Sequence, residues 1–183
     1  GMAFGQDNDA TVNQRSGNNL SATISQVGAD NVADVSQASF AGDPQHTATV
    51  NQTGNDNSAS VLSDGSFNQH VVNVDQVGDN NSATVAQKSG GSTADIDQNG
   101  DRNSGTVSHR GSASSEGYID QDGDDNLAEI LDAGQGAKAS GTFADIVQDG
   151  NMNTATVTQT GNGDSATVTQ LGNGHTATVT QNP

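Results

Sequence analysis

Apolar residues alternate with polar ones inside short segments of this chain, and the segments themselves recur. Each segment has the form Ala-x-Val-x-Gln or a close variant, and fifteen of them are present. Alternation with a period of two is typical of β-strands, and it places Ala, Val or Ile, and Gln on one face and Thr, Ser, Asp or Asn on the other. The pattern therefore predicts fifteen short strands, each with a small apolar face that ends in an amide.

The fifth position of each segment marks the repeat. Val or Ile stands two residues before every marker, and Ala stands four residues before twelve of them. The glutamine markers are Gln14, Gln26, Gln37, Gln52, Gln76, Gln87, Gln98, Gln121, Gln148, Gln159, Gln170 and Gln181. The other three markers are Ser63, His109 and Asp132, which we interpret as weak points of the repeat.

Two kinds of link alternate between the segments. Every second link has six residues with glycine at the second position and, in all but the last, asparagine at the fifth. The glycines are Gly28, Gly54, Gly78, Gly100, Gly123, Gly150 and Gly172, and the asparagines are Asn31, Asn57, Asn81, Asn103, Asn126 and Asn153, with His175 in the last link. The intervening links vary in length. A constant glycine indicates backbone with positive φ or a close approach of two backbones.

A constant turn on one side and variable loops on the other predict an all-β fold, a β-solenoid of stacked two-strand coils. The repeat is ~22 residues, and about seven and a half coils form a single solenoid over residues 10–183. Residues 1–9 fit equally a degenerate half coil, through Met2, Phe4 and Gln6, and a frayed terminus. Because stacked strands lie about 4.8 Å apart, the glutamine and asparagine markers are predicted to form hydrogen-bonded ladders.

Composition limits the function classes. Only 30% of the residues are hydrophobic and 3% aromatic, so a conventional layered core is not expected. The chain has no cysteine, a net charge of −17 and only five lysines and arginines, which argues against disulfides and against binding to nucleic acid. No apolar run approaches the ~20 residues of a membrane-spanning helix. We therefore expect no nucleic-acid partner and no membrane span.

Catalysis and metal binding are not expected. The four histidines, His46, His70, His109 and His175, are expected to lie far apart in the stack, and no catalytic spacing is present. Four carboxylates lie within residues 120–126, but Asp125 and Leu131 stand where an EF-hand loop needs glycine and glutamate. The chain is thus predicted to be neither an enzyme nor a cofactor-binding protein, and its acidic surface to bind cations only weakly.

The segments and constant turns together resemble the curlin repeat of bacterial curli subunits. The resemblance rests on stretches such as QVGADNVADVSQ, QVGDNNSATVAQ and QDGNMNTATVTQ, which recur seven times with single departures. It implies a solenoid that is secreted through an outer-membrane pore and polymerises into functional amyloid for biofilm and adhesion, outside the cell or on its surface. It also implies a minor nucleating subunit and the curli secretion machinery as partners, and leaves open whether this chain is the major or the nucleating subunit.

The end of the solenoid is expected to be where another copy adds. No capping segment follows the last strand-like phrase, so Ala177, Val179 and Gln181 are predicted to form a polymerisation edge. The outward acidic residues are expected to slow assembly, and acid or salt to promote it. The alternative function is a monomeric ice-binding or surface-binding solenoid, suggested by the Thr-x-Thr pairs at residues 156–158, 167–169 and 178–180.

Overall fold

The computed structural model of the protein describes residues 7–15, 19–39, 45–65, 69–88, 91–110, 114–133 and 141–182. These ranges contain fifteen β-strands and no helix. The strands are Asp9–Arg15 (β1), Leu20–Val27 (β2), Val32–Ala38 (β3), His46–Thr53 (β4), Ser58–Asp64 (β5), Val71–Val77 (β6), Ser82–Gln87 (β7), Thr93–Asn99 (β8), Ser104–His109 (β9), Glu116–Asp122 (β10), Leu127–Asp132 (β11), Phe143–Asp149 (β12), Thr154–Gln159 (β13), Ser165–Leu171 (β14) and Thr176–Gln181 (β15).

The strands form two parallel sheets. The odd-numbered strands make an eight-stranded sheet in the order β1-β3-β5-β7-β9-β11-β13-β15, which we call the odd sheet. The even-numbered strands make a seven-stranded sheet, the even sheet, in the order β2 to β14. Each strand pairs with the strand two further along the chain, so the backbone climbs one layer per coil. This arrangement confirms the predicted all-β solenoid of about seven turns.

The register between layers keeps equivalent positions of the repeat above one another. In the even sheet, Ile96 pairs with Ile119 and Gln98 with Gln121, and the other strand pairs keep the same alignment of repeat positions. Between the sheets lie columns of Ala and of Val or Ile, and nearly all of their members in the middle coils are fully buried. Because these side chains are small, two backbone layers approach closely and leave a thin interior that polar residues complete at both edges.

The edge that carries the links from even to odd strands is uniform, and we call it the constant-turn edge. Its seven turns have the same length, and each contains a glycine at φ between 110° and 122°. A Cβ added to Gly100 would lie 2.1 Å from the carbonyl oxygen of Gly123 in the next coil. Two turn positions later, non-glycine residues adopt φ between 56° and 61°, as at Asn80 and Arg102. Glycine is therefore required both by its dihedral and by the neighbouring coil.

The opposite edge carries the links from odd to even strands, which we call the variable-loop edge. Most of the residues outside the described ranges fall in these links. The N-terminal segment is divided in the same way: residues 1–6, with Met2, Phe4 and Gln6, lie outside the described residues, whereas Asp9 already begins β1.

Candidate assembly edges and internal ladders

The even sheet contains an unbroken glutamine ladder. Each Nε2 group donates to the Oε1 atom of the glutamine one layer further on, at 2.8–2.9 Å from Gln26 through to Gln170. The same Nε2 atoms also donate to backbone carbonyls of the odd sheet, as Gln98 does to Ser82 at 3.1 Å. The members are Gln26, Gln52, Gln76, Gln98, Gln121, Gln148 and Gln170. Each amide thus satisfies its buried polar groups while tying the two sheets together.

The odd sheet has only the two ends of such a ladder. Gln14 donates to Gln37, and Gln159 donates to Gln181, both at 2.9 Å. Gln87 makes no bond to another glutamine: its Nε2 lies 3.4 Å from the carbonyl oxygen of Val71. The three departures from glutamine that the sequence showed interrupt the column here.

Residues from the even-strand side fill the interruptions at Ser63 and Asp132, so the interpretation of these two residues as weak points is wrong. It fits His109, whose two buried ring nitrogens have no hydrogen-bond partner among the described residues. Ser63 Oγ and His46 Nδ1 are joined by a hydrogen bond of 3.2 Å. The Asp132 carboxylate accepts hydrogen bonds from the hydroxyls of Ser115 and Thr142. All of these side chains are buried. The short side chain of Ser63 thus faces the large side chain of His46 across the interior. The Asp132 carboxylate faces two hydroxyl groups that donate hydrogen bonds to it.

The expectation that the histidines lie far apart is also wrong for those near the variable-loop edge. The rings of His46 and His70 are 4.6 Å apart, because they occupy the same column one layer apart. His70 Nδ1 donates to Gln87 Oε1 at 3.2 Å. Burial, reinforced by the neighbouring His46, lowers the pKa of His70 to about 4. Burial likewise lowers the pKa of His109 to about 4.

The asparagine markers form a second ladder at the constant-turn edge. Each backbone N–H bonds to the Oδ1 atom of the asparagine in the preceding coil, at 2.9–3.1 Å, and each Nδ2 donates to the turn glycine carbonyl of the following coil, at 2.7–3.0 Å. The column contains Asn8, Asn31, Asn57, Asn81, Asn103, Asn126 and Asn153, and His175 takes the eighth place. Sequence reasoning missed Asn8, although its spacing of two residues before Ala10 matches that of Asn31 before Ala33.

A third ladder at the same edge was not anticipated. The residue after each turn glycine donates its N–H to the side-chain oxygen of the Asn or Asp above it, at 2.7–3.1 Å, from Ala29 to Asn173. Asp101 and Asp124 belong to this column, so these carboxylates act as backbone acceptors. Asn or Asp in six of the seven turns was the available signal.

The outward face of the even sheet carries the acidic residues of the middle coils. Asp75, Asp97 and Asp120 lie directly above one another. Partial burial and then the charges of Asp120 and Asp75 raise the pKa of Asp97, and burial followed by nearby carboxylates raises the pKa of Asp95 and Asp120. The residues that the structure describes contain no group of three or more potential ligands placed to hold a metal ion.

The predicted polymerisation edge, Ala177, Val179 and Gln181, lies on the terminal strand of the odd sheet. These three side chains are only half-buried, unlike their counterparts in the middle coils. β14 ends the even sheet at the same end, and β1 and β2 end the two sheets at the other, where Val12 is 48% exposed. Each end of the described stack therefore presents two strands with an edge that no described strand pairs with, and a partly exposed apolar face.

The outward Thr pairs do not form one array on the described strands. Residues 156–158 and 178–180 lie on the odd sheet, but the preceding layer there has Glu129 and Leu131, and residues 167–169 lie on the other sheet. This arrangement does not favour the ice-binding alternative. Within the described ranges no helix is long and apolar enough to cross a membrane.

Comparison with known proteins gives one family. The profile described as Curlin associated repeat matches residues 5–38, 91–130, 141–171 and 150–182. These ranges together cover more than half of the chain. A search of curated proteins found no match.

Proposed function

The chain belongs to the curlin-repeat family, and from this membership we propose that it is a structural subunit of an extracellular curli-like amyloid fibre. Copies add end to end through β1 and β2 at one end and β14 and β15 at the other. The fibre serves biofilm matrix and adhesion at the bacterial surface. Further copies of the same chain are its main partner, with a minor nucleating subunit and the curli secretion machinery as the partners that the family suggests. We assign it no enzymatic role.

One observation carries the proposal: at both ends of the described stack, the last strands have free edges and inward columns of Ala, Val or Ile, and Gln, like most of the inner layers. Parallel strands stacked in register form cross-β structure, and an added copy would find the same 4.8 Å spacing that it has internally. Val179 packs against the core from one side only. Addition of a strand would bury it, as Val157 one layer below is buried.

The first experiment follows thioflavin T fluorescence and electron microscopy of dilute purified protein, with and without seeds. We expect thin fibres whose formation seeds accelerate and whose diffraction has a spacing of about 4.7–4.8 Å. A protein that remains a β-rich monomer under all of these conditions would contradict the proposal.

An edge variant makes the test specific. Val179→Lys places a charge on the inward column of β15, whereas Thr178→Lys adds the same charge to the outward face of the same strand. We expect Val179→Lys to stop elongation and Thr178→Lys to elongate at a rate similar to the wild type, because an inward charge cannot be buried against another strand. Equal elongation by both variants would show that β15 is not a growing edge. Circular dichroism of the monomers checks that both fold.

A further inference from the structure

The two sheets contain different numbers of strands, and this decides how two copies meet. Among the described residues the odd sheet has eight strands and the even sheet seven. The backbone path therefore reaches its last layer in the odd sheet, at β15, and the next position along the same path lies in the even sheet, above β14. A second copy has two ways to add: its β1 lies on β14, or its β1 lies on β15.

We propose that successive copies of this 183-residue chain are related by a half-turn about the fibre axis. In this half-turn junction, β1 of the incoming copy pairs with β14 and its β2 pairs with β15, so the odd sheet of one copy continues as the even sheet of the next. The inference rests on the proposed end-to-end assembly and specifies its geometry.

In the alternative arrangement, the same-face junction, β1 of the incoming copy lies on β15 and the odd sheet continues as the odd sheet. The two junctions differ in whether a strand position is left empty. In the same-face junction, β2 of the incoming copy would lie two layers above β14. Among the described strands, the even sheet would then lack one strand at every junction, with a gap about 4.8 Å wide between two unpaired edges. Both edges would leave their backbone groups and the columns of Ala166 and Val168 without a packing partner. The half-turn junction leaves no such gap.

Glutamine side chains at the two ends are complementary in the half-turn junction. Gln170 and Gln181 each use Nε2 for one backbone carbonyl, at 3.0 Å, and have a second N–H available. At the other end of the stack, the Oε1 atoms of Gln14 and Gln26 accept no hydrogen bond from any described residue, whereas their Nε2 atoms are engaged. The half-turn junction joins Gln170 to Gln14 and Gln181 to Gln26. The same-face junction joins only Gln181 to Gln14.

The shared phrase of the two sheets makes the exchange of sheets possible. Ala10, Val12 and Gln14 of β1 occupy the same inward positions in the odd sheet as Ala166, Val168 and Gln170 of β14 do in the even sheet. In β2, Ala22, Ile24 and Gln26 correspond equally to Ala177, Val179 and Gln181 of β15. Either sheet can therefore continue the other with the same register and with inward side chains of similar size.

The constant-turn edge also favours the half-turn junction. A same-face junction would place Asn8 of the incoming copy over His175, which ends the asparagine column. An imidazole has no amide with which to continue that ladder, and His175 Nε2 is bonded to the carbonyl oxygen of Leu171 in its own turn at 3.1 Å. The half-turn junction places this turn beneath the variable-loop edge of the next copy, where no asparagine ladder is required.

The charges of the end strands permit the contact. β2, β14 and β15 contain no charged residue, and β1 contains Asp9 and Arg15, which are opposite in sign. In the half-turn junction Asp9 lies over Ser165 and Arg15 over Leu171, so no like charges meet. The nearest acidic residues of the even sheet are Asp145 and Asp149 on β12, one layer below β14, where they lie under Thr167 and Leu171.

Two cysteine pairs distinguish the junctions, and the chain has no native cysteine. The first variant is Asn13→Cys with Thr169→Cys, and the matched control is Asn13→Cys with Thr180→Cys. These positions all point outward on end strands, and residues 13 and 169 become neighbours between copies only in the half-turn junction, whereas residues 13 and 180 become neighbours only in the same-face junction. Fibres grown under reducing conditions are treated with a bis-methanethiosulfonate linker about 5 Å long and separated by non-reducing electrophoresis.

We expect a ladder of covalent multimers from the 13/169 variant and monomer from the 13/180 variant. The reverse result overturns the half-turn junction while leaving end-to-end assembly intact. Fibres that give no multimers with either variant also overturn it, and absence of fibres from the wild-type chain would instead contradict the proposed function.

Wild-type fibres provide a second measurement that needs no substitution. Fifteen strands correspond to seven and a half coils, so the half-turn junction gives an axial rise of ~36 Å per copy with a rotation of about 180° in addition to the twist of the stack. A same-face junction gives ~38 Å, which is eight layers, without the half-turn. Helical reconstruction by electron cryomicroscopy that shows all variable-loop edges on one side of the fibre over successive copies would overturn the proposal.

Discussion

Individual residues in this solenoid are constrained mainly by the coil above and the coil below. Glycine at the second turn position is the clearest case, since the Gly123 carbonyl occupies the space that a side chain at position 100 would need. Buried histidines are a second case, since the layers on either side remove them from water. Both lead to predictions that concern single substitutions.

Gly100→Ala is expected to destabilise the folded chain by roughly 3 kcal/mol or more, because the new Cβ meets backbone and the φ of +122° is unfavourable for alanine. Gly174→Asn is the control. Gly174 has φ +70° with open space around it, and Asn80 occupies the equivalent turn position, so the free energy of unfolding should change by about 0.5 kcal/mol or less. Urea denaturation of the monomer measures both, and equal stability of Gly100→Ala and wild type would contradict the close-approach argument.

Acid should destabilise the fold through its buried histidines. The pKa of His109 is about 4 in the folded state, below the ordinary value of 6.5. The unfolded chain therefore binds more protons between these values, so the stabilisation is complete above pH 6.5 and is lost as the pH falls towards 4. The loss amounts to at most about 3 kcal/mol for this histidine.

The measurement compares the free energy of unfolding at pH 7 and pH 4 in three proteins. His109→Gln should lose less stability than the wild type over this range, because the titrating group is gone. His175→Gln removes an exposed histidine and should show the wild-type loss. If His109→Gln and wild type lose the same amount, burial of His109 is not what makes the fold sensitive to acid.

Neighbouring strands determine whether an outward charge is tolerated. Asp97 lies between Asp75 and Asp120 in the even sheet, whereas Asp34 lies between Thr11 and Ser60 in the odd sheet. The same residue type therefore meets like charges in one sheet and neutral hydroxyls in the other.

Asp97→Asn is expected to raise the free energy of unfolding at pH 7 by about 0.2–1 kcal/mol, because it removes two like-charge contacts between adjacent strands. The raised pKa of Asp97 has the same cause in part, so the gain should shrink at acid pH, where the carboxylates are protonated, and in high salt. Asp34→Asn is the control and should show no such gain. Chemical denaturation at low and high ionic strength measures both, and a gain that does not depend on salt would point to a different cause.

At the scale of the whole molecule, one end of the stack consists of neutral strands. The net charge is −17, but β14 and β15 contain no charged residue, and the acidic columns of the even sheet end one layer below β14, at Asp145 and Asp149 of β12. A second copy therefore meets neutral strands at the junction and a negative field from layers further away. Electrostatic control of assembly should thus depend on how far that field extends.

Seeded elongation is expected to accelerate between 10 mM and 150 mM NaCl, since the Debye length falls from about 30 Å, which spans several coils, to about 8 Å, which spans fewer than two layers. Thioflavin T fluorescence at constant seed and monomer concentrations measures the rate. A double substitution of Asp97 and Asp120 by asparagine should weaken the salt dependence. A rate that is unchanged by salt in the wild type would show that the middle coils do not influence addition.

Much of this architecture could be predicted from the sequence alone, and the reason is physical. In a solenoid each layer contacts only the layers next to it, so a repeated phrase fixes strand, turn, sheet and coil number without reference to distant parts of the chain. The positions of Val35, Gly54 and Gln98 in their strands and turns follow directly from their place in the repeat. The two alternating link types further fixed which edge is constant.

What only the tertiary structure decided is how the exceptions to the repeat are accommodated. Closure of a coil brings His46 to Ser63 and Ser115 to Asp132 across 17 residues of chain. Those contacts depend on volume and hydrogen-bond geometry in a shared interior, which a linear pattern does not contain. The lowered pKa of His70 and the carboxylates that accept turn N–H groups belong to the same class, because each arises from what the stacked layers place next to one another.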